Sequence, residues 1–321
     1  MSNYTLGTIE ASEQLIKDLY INLRNEVNKW SEITKQTPQA RMGYIGQHLV
    51  SVVTGYPGGK SGARGRDLII DDQRYGEIKT CYRVDQLGQC ADCHAVVSSL
   101  EETCSSCGSS NIDRKDDSKW LIGIRHDSEF SEILDPESYY FVLFEFEDLY
   151  KKNNKNIIAS IWEVNPKTKG FAYCMIDYYL NIRANSTSKA PFNMWPYQLK
   201  FLLTNPKLIY RSTIYGNGNI KTTIFPTLNN GYIEELKSLQ EYKHTRTLSK
   251  DALKSVIREI APHASVQGSK EELIDRLENL RISQKMSNKD LCDYLSDAIY
   301  LPLIEHCTNQ IPEHLRHLIN F

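Results

Sequence analysis

"RGRDLIIDDQRYGEIKT", residues 64–80, decides the fold class. Two short stretches, "DLII" (67–70) and "YGEIKTCY" (75–82), read as strands, and "DDQR" (71–74) between them has turn chemistry. The pattern predicts a hairpin. Side chains at i and i+2 of a strand share a face, so Glu77 and Lys79 project together while Ile78 turns into a core. Asp67, at the start of the first strand, is placed beside them. Two carboxylates and a lysine on one face suit metal-assisted hydrolysis of a phosphodiester. Asp67 and Glu77 would hold Mg2+, a hard cation that prefers oxygen ligands. Lys79 would orient or deprotonate a water, or stabilise charge developing on the phosphate.

Working backwards, "QARMGYIGQHLVSVV" (39–53) predicts a helix through Met42, Ile45, Leu49 and Val53 that stops at Gly55. "TGYPGGKS" (54–61) follows and ends in Gly-Lys-Ser, as a nucleotide-binding P-loop does. Thr54 stands where that motif needs its first glycine, and a helix precedes the loop while a strand follows it. This is the reverse of the P-loop context, so no nucleotide cofactor is expected. Lys60, Arg64 and Arg66 lie together without an intervening acid, among Gly58, Gly59, Gly62 and Gly65. Glycines permit close backbone approach, and cations beside a strand grip a nucleic-acid backbone. Lys60, Ser61, Arg64, Arg66 and Arg83 are therefore the expected DNA contacts near the hairpin.

At these residues the sequence resembles the PD-(D/E)xK nuclease superfamily, through Asp67 and Glu77-Ile78-Lys79. Arg66 replaces the proline of the motif name. The resemblance implies an acid or glutamine on the preceding helix, and Gln47 in "GYIGQHLV" holds that place, suited to orienting a metal-bound water. The layout around "GYPGGKSGARGRDLI", "GEIKT" and a cysteine-rich insert is similar to the MamI group of type II restriction endonucleases. That implies Mg2+-dependent, sequence-specific cleavage of double-stranded DNA by a homodimer, and a cognate DNA methyltransferase as companion.

Eight cysteines occur, four of them in two CxxC pairs, Cys90/Cys93 and Cys104/Cys107. Two such knuckles close a tetrahedral four-thiolate site, the arrangement of structural zinc, with no position left open for catalysis. The surrounding segment, 88–118, is poor in large aliphatics, so Zn2+ is expected to supply the folding energy that a core would otherwise give. His94 reads as an exposed neighbour, and Cys81 as structural.

Residues 9–35 read as one amphipathic helix through Leu15, Ile16, Leu19, Tyr20, Leu23 and Val27. Strand patterns resume at 120–126, 139–146 and 157–164, a helix follows Pro196, and 209–225 reads as a hairpin tipped by "GNGN". From about 234 the pattern is helical. Ser269 with Glu272 forms a capping-box signature, and 248–280 resembles a SAP-type helix–loop–helix module through Gly268-Ser269-Lys270 and Leu273-Ile274-Asp275-Arg276-Leu277. Lys254, Arg258 and Lys270 are its expected phosphate contacts. The same pattern would also suit a helical pair serving a dimer interface.

The expected fold class is α/β (α+β): a restriction-endonuclease-like mixed sheet flanked by helices, a small zinc-ribbon insert and a helical C-terminal region. The expected domains are a nuclease domain over 1–233, with 88–118 inserted, and a helical domain over 234–321. The chain of 321 residues is 40% hydrophobic with net charge −2, so polyanion binding must come from local patches. Its polar start predicts no signal peptide, its longest apolar run is too short for a membrane span, and the expected location is a prokaryotic cytoplasm. Two further readings use the same residues: a non-catalytic zinc/SAP DNA-binding protein, and a DNA repair or structure-specific nuclease.

Overall fold

The computed structural model describes residues 4–36, 43–59, 66–84, 86–97, 101–114, 120–126, 128–147, 156–183, 191–194, 199–228, 233–239 and 250–295, with isolated positions at 245, 248, 313 and 317. The chain forms two compact units. One contains 1–120, 136–163 and 208–233; the other contains 121–135, 164–207 and 234–321.

The first unit is built on a mixed sheet. Its strands are β1 (Leu68–Ile69), β2 (Tyr75–Tyr82), β3 (Ser138–Phe146), β4 (Ile157–Val164), β5 (Lys207–Ile214) and β6 (Ile220–Ile224), side by side in that order. The expected hairpin forms: β1 and β2 are antiparallel, with Leu68 opposite Gly76 and Ile69 opposite Tyr75. The turn is closed by Asp71, whose carboxylate accepts from the backbone amides of Gln73 and Arg74 and from the Arg74 side chain. β2 and β3 run parallel, and β5 and β6 form the second hairpin, whose tip needs the positive φ of Gly218.

Helices α1 (Ile9–Leu15), α2 (Leu23–Thr34) and α3 (Gly43–Thr54) belong to this unit. α3 ends as expected, with Gly55 at φ +81 and its amide bonded to Ser51 O. Ile45, Leu49, Val50 and Val53 of α3 join Leu68, Ile78, Tyr140, Val142 and Phe144 in one core. The single helix expected over 9–35 is instead interrupted by a π-helical turn, Ile16–Asn22. The wider turn puts Ile16 and Tyr20 in the core and leaves Leu19 and Leu23 exposed.

The cysteine segment adds a separate three-stranded sheet, Val96–Val97, Gly88–Cys90 and Ile112–Arg114 in that order. Its own apolar cluster is minimal: Cys90, Val97 and Cys104, with Ala95 and Ile112 against them.

The second unit holds α4 (Glu129–Leu134), α5 (Lys169–Asp177), α6 (Leu199–Leu203), α7 (Lys250–Ile260), α8 (Lys270–Ser283) and α9 (Asn288–Leu295). Thr168 caps α5 through Phe171 N. α7, α8 and α9 share a core of Leu253, Val256, Ile257, Leu273, Leu277, Leu291 and Leu295. The capping box is complete: Ser269 accepts from Glu272 N at 3.1 Å, and Glu272 accepts from Ser269 N at 2.7 Å. The α7–α8 loop is tied by Arg276, which donates to the carbonyls of Ser265 and Gln267. Among the described residues, no helix is long and apolar enough to cross a membrane. The last part of the expected helical region is seen as α9, and beyond Leu295 it lies almost wholly outside the described residues.

Candidate active site and metal centre

Three elements converge on Asp67: α3 through Gln47, β1, which begins at the next residue, and β2 through the Ile78 amide. Gln47 Nε2 donates to Asp67 Oδ1 at 2.9 Å, and the Ile78 amide donates to Oδ2 at 2.9 Å. Both carboxylate oxygens are thus oriented. On β2, Lys79 Nζ donates to Glu77 Oε1 at 2.7 Å, both side chains being about a quarter exposed. Gln47 thus meets Asp67, and Glu77 and Lys79 pair on either side of the residue whose amide meets it.

The electrostatics of the pair bear on a cation. Burial raises the Asp67 carboxyl above its ordinary value, and the charge of Glu77 raises it further; the Ile78 amide and Lys79 pull it back less strongly. Two acids that resist joint ionisation are relieved by a positive ion between them. An all-oxygen donor set, partly buried, fits a hard divalent cation such as Mg2+.

Sequence reading missed what sets α3 at its distance from β2. A Cβ built on Gly46 would lie 2.0 Å from Thr80 Oγ1 and 2.9 Å from Thr80 Cβ. Glycine allows the helix backbone onto the strand at this point, and Gln47 is the next residue. The available signal was an isolated glycine inside an apolar helix pattern, which marks close packing.

The glycine loop is also tied to the site. Pro57 O accepts from Ile69 N at 2.9 Å, Gly59 N donates to Asp67 O at 3.4 Å, and Gly58 bridges Leu68 in antiparallel fashion. Residues 57–59 therefore cover the outer edge of β1, and the chain leaves toward Lys60 from the backbone of Asp67 itself. Lys60, Ser61 and Arg64 lie outside the described residues. Arg66 is exposed, with its guanidinium 4.6 Å from the Tyr75 ring centroid. Arg83 requires a correction. It is 9% exposed, with its guanidinium 3.6 Å from the Glu145 carboxylate, so a buried ion pair replaces the expected phosphate contact. In the second unit Arg258 is exposed, Lys270 is half-buried, and Lys254 lies 3.7 Å from Asp251.

The four module cysteines assemble without help from the large core. Their sulfurs all lie within 4.8 Å of one another, with Cys90 to Cys107 at 3.6 Å and Cys93 to Cys104 at 3.5 Å. Four sulfurs about 2.3 Å from a tetrahedral zinc would be about 3.8 Å apart, so the cluster fits that ion. Backbone amides favour the thiolates. The Cys93 amide lowers the Cys90 thiol; burial opposes ionisation of Cys104, but the amides of Ser106 and Cys107 outweigh it and bring that thiol to about 7. For Cys107 the Ser109 amide is outweighed by the neighbouring sulfurs of Cys93 and Cys90, which push it up to about 12. Such crowding is what a bound cation removes. Asp92 ties the two knuckles by accepting from Ser109 and Asn111. His94 is exposed and stands outside the cluster.

Comparison with known proteins adds one finding. The family model described as MamI restriction endonuclease matches residues 29–238, which includes the glycine loop, the Asp67–Lys79 hairpin and the cysteine module. No curated protein and no solved structure matches the chain.

Proposed function

Because the chain belongs to the MamI restriction endonuclease family, we propose that it is a type II enzyme that hydrolyses double-stranded DNA at specific sequences, with Asp67, Glu77, Lys79 and Gln47 as its centre. The observation that carries this reading is the convergence of α3, β1 and β2 on Asp67, with Glu77 and Lys79 paired beside it. Asp67 and Glu77 would hold Mg2+, which when bound supplies Lewis-acid stabilisation of phosphate charge and a polarised water.

The chain's own groups do the rest. Gln47 and the Ile78 amide fix both oxygens of Asp67, which reduces the reorganisation needed on binding. Lys79 carries a positive charge to the phosphate as negative charge builds there. Lys60, Ser61, Arg64 and Arg66 would contact the DNA backbone. The cysteine module would be held by structural Zn2+. Arg258, Lys254 and Lys270 on the SAP-like helices would add phosphate contacts, and a homodimer would match a palindromic site.

Incubation of duplex DNA with the protein and Mg2+, followed by sequencing of the fragment ends, tests this function. Discrete fragments with one end sequence are expected. Random or junction-specific ends would instead favour a repair nuclease, and binding without cutting a non-catalytic DNA-binding protein.

A further inference from the structure

Helix α2 turns its apolar residues outward. Leu23, Trp30 and Ile33 recur at i, i+7 and i+10, the spacing of one helical face. They are 38%, 59% and 63% exposed, and Leu19, in the π-helical turn just before, is 36% exposed. The half-buried positions of the same helix are Arg24, Val27, Asn28 and Ser31, three of them polar. No side chain of α2 is fully buried. Scattered exposed apolar residues are ordinary on a soluble protein, but a row of them along one element marks an interaction surface. Helices of this length draw most of their stability from packing an apolar face, and α2 presents that face to solvent.

The charges indicate what covers it. The charged residues of α2 are Arg24, Glu26, Lys29 and Glu32, two of each sign, so the helix has no excess of cations for a nucleic acid. Glu26 and Lys29 pair at 3.4 Å, with both side chains more than half exposed. They stand midway between Leu23 and Ile33. A surface that carries both signs about its midpoint is complementary to a copy of itself. A two-fold axis through that point runs two helices antiparallel, and it sets Leu23 toward the partner's Ile33 and Glu26 toward the partner's Lys29.

We propose that the exposed face of α2 is an interface between two copies of this chain, packed antiparallel about a two-fold axis near Glu26 and Lys29. Trp30 is its apolar anchor, and the exchanged Glu26–Lys29 pairs fix its register. The inference rests on the homodimer of the proposed reading and gives that dimer its surface.

Sedimentation velocity on the zinc-loaded full chain, without DNA, tests this. Wild type should sediment as a dimer. Trp30→Ala should weaken the dimer about thirtyfold or more, the loss on truncating an interface hot spot. The melting temperature of the diluted monomer should not change, because Trp30 lies outside the core. Glu26→Lys and Lys29→Glu should each weaken self-association, since like charges then meet at the axis. An equal mixture of those two variants should recover a dimer. A wild type that is monomeric at every concentration would overturn both the surface and the homodimer reading, and would leave the face to a different protein. A dimer indifferent to Trp30→Ala would overturn the surface alone, as would a mixture no more dimeric than its parts. A dimer that behaves as predicted yet leaves duplex DNA uncut in Mg2+ would retire the nuclease reading and keep the surface.

Discussion

The carboxylate centre and the cysteine module are both candidate metal sites, and they are built in opposite ways. The cysteine ligands come in two local knuckles, Cys90/Cys93 and Cys104/Cys107, in a segment whose apolar cluster contains little besides the cysteines. There an ion would make the fold. The carboxylate ligands sit on a sheet whose core includes Ile45, Leu49, Leu68, Ile78, Tyr140 and Phe144. There the fold would make the ion site. Local ligand spacing thus serves structural metal, whereas a centre drawn from several elements can be tuned by packing far from the ion.

The largest effect should come from breaking the cysteine side. Replacing Cys90 and Cys104 together with Ser should take bound zinc, by metal analysis, from about one ion per chain to about none, since the four thiolates are the whole ligand set. Structural zinc contributes about 10–16 kcal/mol in small modules, far more than this segment's core can offset. Proteolysis should therefore cut within 88–118 while the main sheet stays protected. A module that resists protease without zinc would erase the contrast.

The next effect acts on the packing side. Gly46→Ala forces a Cβ toward Thr80, whose own Cβ cannot rotate away. Overpacking of this kind costs about 1–3 kcal/mol. It should also displace Gln47 from Asp67, so a lower melting temperature and slower DNA cleavage are expected together, with zinc content unchanged. Full cleavage by Gly46→Ala would show that the helix does not position the centre.

The smallest effect is a pH dependence. Asp67 has a raised carboxyl in the folded protein, with burial the leading cause and Glu77 the second. The folded state therefore holds that proton more tightly than the unfolded chain. Its contribution to stability falls as pH rises from the ordinary 3.8 through the raised value, and stays lost above it. A cation removes the repulsion once Asp67 is ionised. Added Mg2+ should accordingly raise the melting temperature at neutral pH, and the gain should shrink on acidification through that window. An equal gain at both ends would place the cation elsewhere.

These contrasts also explain what was legible in the sequence. The cysteine module was readable because its ligands are adjacent in the chain. The hairpin was readable because alternation puts Glu77 and Lys79 on one face and "DDQR" must turn. Gln47 needed the family resemblance, since nothing local says which helix residue meets Asp67. Gly46 was visible as an anomaly but not as a contact, because its partner Thr80 is 34 residues away. Arg83 misled because charge alone reads as surface, and its burial depends on Glu145 in another strand. The π-turn at Ile16–Asn22 defeated a period-3.6 reading in the same way, by shifting the buried face within one helix.

Asp67 is the proposed hinge of a cation-dependent DNA-cleaving centre. The most direct test compares wild type with Asp67→Ala for single-turnover cleavage of duplex DNA in Mg2+, alongside zinc content and DNA affinity in Ca2+. Cleavage is predicted to fall by roughly a hundred- to a thousandfold, the scale of losing one group that stabilises transition-state charge, while zinc content and DNA affinity hold. An Asp67→Ala protein that cuts at the wild-type rate would contradict the account.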